Sequence, residues 1–550
     1  MTNKEIASVF NNLGKIMELH GENPFKIRSY SNAYLSLRKL ETPLGKMSDA
    51  ELGGIKGIGK AIVSKVRELQ ESGRLEAMEK YKALTPPGVQ EMLQIKGFGP
   101  KKVRVVWKDL GAETIGELLY ACNENRLIEL KGFGAKTQED LKQKLEYFLN
   151  SKNKFHYASL EPLAQELIEK LKPILPGVKI AETGALRRRC PELERVEVLV
   201  GTIETLEPKL SALFDIQGET EDSLAGRSAN NIPIIIYKCS PDEFGSKQFR
   251  YTGGGGFINA FLERVDADDF RGLATEAAVF SKAKLPVIAP ELRDWEDALV
   301  LASDEQLPVL IEESDIKGVI HSHTTYSDGL HSLRDMVEYA KAKGFGYIGI
   351  TDHSKSAFYA NGLQPERVYQ QMEEIDQLNA EMNAFRIFKG IESDILNDGS
   401  LDYEDDLLGA FDFIIASVHS NLKMDEAKAT HRIITAVENP YTSMLGHPTG
   451  RLLLSREGYP LDHKKVIDAC AANGVVIEIN ANPYRLDLDW TWIPYAIEKG
   501  VKLSINPDAH SKGGMHDIRY GVLAARKGGL SAVDCVNCFD AEGFLTALRK

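Results

Sequence analysis

From residue 316 onward the chain repeats one pattern: a short apolar run closes on a His, Asp or Glu, and a stretch with helical spacing follows. The runs are Lys317-Gly-Val-Ile-His-Ser-His323, Tyr347-Ile-Gly-Ile-Thr-Asp-His353, Arg386-Ile-Phe-Lys-Gly-Ile-Glu392, Phe413-Ile-Ile-Ala-Ser-Val-His419, Ser443-Met-Leu-Gly-His447, Val475-Val-Ile-Glu-Ile-Asn480 and Lys502-Leu-Ser-Ile-Asn-Pro-Asp-Ala-His510. Seven runs alternating with helical stretches predict a (β/α)7 barrel, whose polar strand ends converge on one face. The first 150 residues read as amphipathic helices only. Between the two lies a mixed region, where the alternation Val196, Val198, Val200 predicts a strand with Arg195 and Glu197 on one face.

The helical head contains a repeat: Ile55-Lys-Gly-Ile-Gly59, Ile95-Lys-Gly-Phe-Gly99 and Leu130-Lys-Gly-Phe-Gly134. Each copy sits between two helical stretches; Asp49 reads as the cap of the short helix before the first. The pattern is that of a helix-hairpin-helix. Gly57, Gly59, Gly97, Gly99, Gly132 and Gly134 allow a tight turn, which presents backbone N–H groups to a phosphate at the next helix N-terminus. Lys60, Lys101, Lys102 and Lys136 add charge. Such contacts read the nucleic-acid backbone and not its sequence, so the expected partner is DNA.

Charge sharpens this division. Residues 1–150 carry 24 basic against 19 acidic side chains, although the whole chain has a net charge of -13. Ten of the 12 histidines lie beyond residue 320. A basic head suits a polyanion, and an acidic, histidine-rich tail suits metal. No apolar run of about 20 residues predicts a membrane span. No secretory signal and six scattered cysteines, including the lone Cys535-x-x-Cys538 pair, lead us to expect a cytoplasmic protein.

The strand ends bring together His321, His323, Asp328, His353, Glu392, His419, His447, Asp508 and His510. Six imidazoles and three carboxylates are too many for one ion, and they suit Zn²⁺, Mn²⁺ or Fe²⁺ better than Mg²⁺. Arg451 and Arg485 are candidates for phosphate contacts. His20, His156, His331, His431, His463 and His516 carry no site signal.

Residues 1–310 resemble a bacterial family X DNA polymerase through Gly21-Glu-Asn-Pro-Phe-Lys-Ile-Arg-Ser-Tyr, the ordered hairpins and Leu285-Pro-Val-Ile-Ala-Pro-Glu-Leu-Arg293. The nine strand-end residues match the motifs of the PHP phosphoesterase domain that such polymerases carry. The resemblance implies a multidomain chain: an all-α helix-hairpin-helix region, an α+β palm and thumb, and a TIM-like PHP barrel. Expected boundaries are 1–83, 84–154, 155–312 and 313–550. It implies three ions, held by His321, His323, Glu392 and Asp508; by Asp328, His353 and His510; and by Glu392 with His419 and His447. It also implies a candidate abasic-site lysine at Lys65, six residues after Gly59.

The palm departs from the family. The stretch Gly184-Ala-Leu-Arg-Arg-Arg aligns with the Gly-Ser-x-Arg-Arg motif, but Arg195, Glu197 and Ile235 stand where three metal-binding aspartates belong. Arg187, Arg188 and Arg189 are left as candidates for holding DNA. The expected function is a metal-dependent 3'-5' exonuclease or 3'-end processing enzyme of DNA repair, with polymerase activity lost or very weak. Competing readings are an active gap-filling polymerase with an attached exonuclease, a small-molecule phosphatase and a non-catalytic DNA-binding scaffold.

Overall fold

A computed structural model describes residues 1–123, 127, 130, 133–150, 154–229, 231–264, 271–454 and 457–548. The chain divides into two compact units, residues 1–152 and 153–550. In the first, one buried cluster runs from Ile6 to Leu145 and passes the expected 83/84 boundary without a break.

The three hairpin turns share one hydrogen-bond pattern. The N–H of the fourth residue donates to the carbonyl of the first at 3.0 Å in each copy: Ile58 to Ile55, Phe98 to Ile95 and Phe133 to Leu130. The side chains of Ile58, Phe98 and Phe133 are buried, which pins the turns to the core. Gly57 and Gly97 adopt φ of 90° and 79°, where a side chain would be strained. The next helices then start, Lys60–Ser72 after Gly59 and Pro100–Asp109 after Gly99. A Cβ added at Gly59, Gly99 or Gly134 would meet nothing within 4 Å, so the space before each helix is open. Gly132 lies outside the described residues. The expected cap is corrected: Ser48, not Asp49, caps Asp49–Gly53. Ser48 and Glu51 form a reciprocal capping box, which satisfies two backbone donors at once.

The second unit opens with a five-stranded sheet in the order Ile180–Glu182, Val196–Val200, Pro233–Lys238, Ser223–Arg227, Asp215–Glu219. Val196, Val198 and Val200 face its core. A cluster around Phe249, Phe261 and Phe280 follows.

Seven parallel strands then form one sheet in sequence order: Gly318–Ser322, Tyr347–Ile350, Arg386–Asp394, Phe413–Ser417, Met444–Leu445, Val476–Asn480 and Leu503–Asn506. First and last edges meet where His323 N–H donates to Ala509 O (2.9 Å) and Ala509 N–H to His321 O (3.0 Å). Further down, the Asn537 amide bridges them through Ile505 and Gly318. The barrel thereby closes into a (β/α)7 form. Its lower interior is apolar, filled by Ile320, Tyr347, Phe388, Phe413 and Phe544.

The helix Ile518–Lys527 fastens the barrel to the preceding sheet region. Arg519 pairs with Glu161 (2.6 Å), Arg526 with Glu291 (2.8 Å) and the buried Lys527 with Asp294 (2.5 Å). Among the described residues no helix is long and apolar enough to cross a membrane.

Candidate metal centre

All nine strand-end residues come together at the C-terminal mouth of the barrel. Glu392 is the centre, 1 % exposed. Its carboxylate lies 3.3 Å from His321 Nε2, 3.0 Å from His353 Nδ1, and 3.1 Å from both His419 Nε2 and His447 Nε2. His323 Nε2 is 3.1 Å from Asp508 Oδ1. Asp328 Oδ1 lies 3.4 Å from His510 Nε2 and 3.7 Å from His353 Nε2. Three overlapping groups have mutually close ligand atoms: His323, Asp328, His353 and His510; His321, His323 and Asp508; His353, Glu392 and His419.

Simple strand alternation does not produce this convergence. The first barrel strand shifts register between Val319 and Ser322, and His321 within it adopts φ 63°. Asp508 lies beyond the last strand with φ 52°, and His447 has φ 22°. Left-handed backbone costs roughly 1–3 kcal/mol per non-glycine residue and persists where the surroundings impose it. A bulge and two turns therefore aim three of the nine side chains.

Donor chemistry and burial suit divalent cations. His321 Nε2, His323 Nδ1 and Glu392 Oε2 are buried with no hydrogen-bond partner among the described residues. Isolated buried charge is costly, yet Glu392, Asp508 and Asp328 share this mouth with the buried Glu478 and Asp394. Burial alone would raise the carboxyl pKa values. The surrounding histidines outweigh it and hold Glu392 and Asp508 well below the usual range, and Asp328 at about 2.

Reading the strand ends missed a second layer of acids. Glu478 accepts from His321 Nδ1 (2.6 Å), and Asp394 from His419 Nδ1 (2.5 Å). Asp352 accepts from Thr324, Ser327 and Gln371 and so holds the loop that carries Asp328. The available signal was an acid inside an apolar run, as with Glu478 between Ile477 and Ile479.

The arginines separate. Arg485 Nε stands 3.8 Å from Asp508 Oδ2, at the cluster. Arg451 is corrected: its guanidinium is taken up by its own surroundings. It donates to Arg485 O (3.0 Å), Asp489 (2.5 Å) and Leu486 O, and so braces the loop that carries Arg485. His463 stacks on Trp492 and His516 pairs with Tyr339, both away from the cluster.

In the other unit, Lys60, Lys101 and Lys136 are exposed at the hairpin helix starts, Lys102 lies over the Phe133 ring, and Lys65 is half-buried on Lys60–Ser72.

The sheet region before the barrel carries Arg195, Glu197 and Ile235, the residues that stand at the three expected aspartate positions. Glu197 pairs in register with Ile235 on the neighbouring parallel strand. Arg195 Nε lies 3.2 Å from Glu197, whose carboxylate also accepts from the Tyr237 hydroxyl (2.9 Å). The expectation that Arg187, Arg188 and Arg189 face DNA is corrected. They are bound to Glu276, Asp294 and Glu182, and are at most 27 % exposed.

Comparison with known proteins agrees with this layout. Residues 1–75 match a helix-hairpin-helix domain family, 89–146 a SAM-like helix-hairpin-helix tandem, and 320–482 a PHP domain. The DNA polymerase/3'-5' exonuclease PolX of Bacillus subtilis is 33 % identical over 571 residues, covering 99 % of each chain. A probable phosphatase of Caldanaerobacter subterraneus is 28 % identical over 34 % of this chain and 74 % of its own, and one of Shewanella strain MR-4 is 28 % identical over 34 % and 75 %.

Proposed function

The chain belongs to the family of the DNA polymerase/3'-5' exonuclease PolX, and on that premise we propose that its own chemistry resides in the barrel. It is a DNA-binding, metal-dependent phosphoesterase of the PHP type with 3'-5' exonuclease function. The observation that carries this reading is the convergence of six histidines and three carboxylates on one barrel mouth.

In the reading proposed here, three divalent ions, Zn²⁺, Mn²⁺ or Fe²⁺, are held by His321, His323, Glu392 and Asp508; by Asp328, His353 and His510; and by Glu392, His419 and His447. Such ions supply Lewis acidity and an activated water for hydrolysis at phosphorus. The residues do the positioning: Glu392 faces ligands of every group, and Arg485 stands where a phosphate oxygen would meet it. Arg451 keeps Arg485 in place from behind. The hairpin turns, with Lys60, Lys101, Lys102 and Lys136, hold the backbone of the substrate DNA. Lys65 is retained as the candidate amine for an abasic sugar.

The palm of this family member is proposed to be inactive in nucleotidyl transfer. Arg195 neutralises Glu197, and Ile235 offers no ligand. A small-molecule phosphatase, suggested by the phosphatase relatives of the barrel, is disfavoured by the full-length match and by three hairpins.

The test is degradation of 5'-labelled single-stranded DNA by the full chain with Mn²⁺. His323→Ala or Glu392→Ala is expected to lower the rate at least about 100-fold while the protein stays folded, since losing even a residue that only supports a ligand typically costs about 10- to 100-fold. Digestion at the parent rate would place the chemistry elsewhere.

A further inference from the structure

Glu478 is completely buried on the strand Val476–Asn480. Each of its carboxylate oxygens accepts two hydrogen bonds. Oε2 takes His321 Nδ1 (2.6 Å) and Asn506 Nδ2 (2.8 Å); Oε1 takes the His447 backbone N–H (3.0 Å) and Asn480 Nδ2 (3.0 Å). Asn480 Nδ2 also donates to Asp508 Oδ2 (3.1 Å). One carboxylate thus connects three residues of the cluster, although it is not among the nine.

Two consequences follow from its chemistry. An ionised carboxylate only accepts, so His321 must carry its proton on Nδ1. When an ion displaces the second ring proton, the lone pair is on Nε2, the atom that faces Glu392 at 3.3 Å and Asp508 at 3.5 Å. The opposite tautomer would turn an N–H toward the place of an ion. The second consequence concerns His447, whose backbone has φ 22°. Its N–H is held by Glu478, so the same group sustains that conformation and the direction of the His447 ring toward Glu392.

We propose that Glu478 is a positioning residue: it fixes His321 as an Nε2 ligand and anchors His447, and so sets the affinity of two of the three metal positions. This rests on the metal-dependent reading above. Glutamine cannot replace it, because its amide group would turn donors onto two of the four donors already present.

The experiment uses the full chain and Mn²⁺ alone. Glu478→Gln is expected to weaken Mn²⁺ binding by roughly 10- to 100-fold at the affected positions and to leave at least one ion fewer after gel filtration. Equal metal content and affinity in variant and parent would overturn the proposal. A second measurement does not depend on the variant folding. In the parent chain labelled with ¹⁵N-histidine and loaded with Zn²⁺, His321 is expected to be protonated at Nδ1; an unprotonated Nδ1 would overturn the assignment. A parent chain that binds no metal would overturn the metal-dependent reading itself, whereas full loading of both proteins overturns only the role of Glu478.

Discussion

Loading the barrel mouth with metal should release about three protons per chain near pH 7.5. In the metal-free protein, burial disfavours charge on His321, His419 and His510, but nearby carboxylates outweigh it. Glu392 and Asp394 raise His419 to about 10, and Asp328 and Asp508 raise His510 to about 9. Glu478, Asp508 and Glu392 carry His321 well above the usual histidine range. His323 is the contrast: burial and the neighbouring His510 and His353 lower it to about 3, so it starts neutral. For His419, only 9 % exposed, removing the proton at about pH 7.5 costs about 3 kcal/mol. His510 is 39 % exposed, and solvent screening reduces its share. Calorimetric titration of Mn²⁺ in buffers of different ionisation enthalpy counts the protons. Apparent affinity should rise with pH, about tenfold per unit for each displaced proton, and level off as the pH passes the histidine values. Stability of the metal-free chain runs the other way. With pKa values raised on folding, the histidine–carboxylate pairs stabilise fully below about pH 6.5 and fade as pH climbs through about 9 to 10. Release of less than one proton, or metal-free stability that grows between about pH 8 and 10, would refute these charge states.

Other expectations are more direct. A fragment of residues 1–152 should bind DNA of any sequence, and three phosphate contacts imply a fall of about 40-fold for a fourfold rise in salt; a flat salt response contradicts backbone binding by the hairpins. With the exonuclease disabled by His323→Ala, gapped DNA should show no template-directed extension in Mg²⁺ or Mn²⁺, and clear extension would restore an active palm. Lys527→Met should destabilise the second unit toward the lower end of about 3–5 kcal/mol, since Asp294 keeps Arg188 when Lys527 is lost. Urea unfolding measures this, and an unchanged midpoint would show that the pair contributes nothing.

Much of this architecture was legible in the sequence. Each barrel run is a short apolar stretch that closes on a polar residue, as suits parallel strands buried on both faces, and this leaves little freedom in where each strand ends. The hairpins were legible because only glycine satisfies their turns. The strand could be read from Val196, Val198 and Val200, and the family resemblance set Ile235 at the third acid position; that Glu197 pairs with Ile235 came from the sheet. What stayed hidden depends on contacts distant in sequence. Glu478 matters because strands 157 residues apart bring it to His321. Arg451 looked like an anion contact because its partner Asp489 lies 38 residues on. The left-handed conformations of His321, His447 and Asp508 have no local signature, for none is a glycine.

The bonds of Asp294 bear on how this chain can change over time. It holds Arg188, from the motif that would serve nucleotide transfer, and Lys527, from a helix of the nuclease barrel. On the proposed reading, in which that motif no longer serves nucleotide transfer, the folding of a neighbour still keeps it under selection. Drift in this sheet region is constrained wherever it touches that junction and free where it does not, as at Arg195, which is 43 % exposed. Among relatives, Arg188 and Asp294 should vary together with position 527, while position 195 varies independently of them.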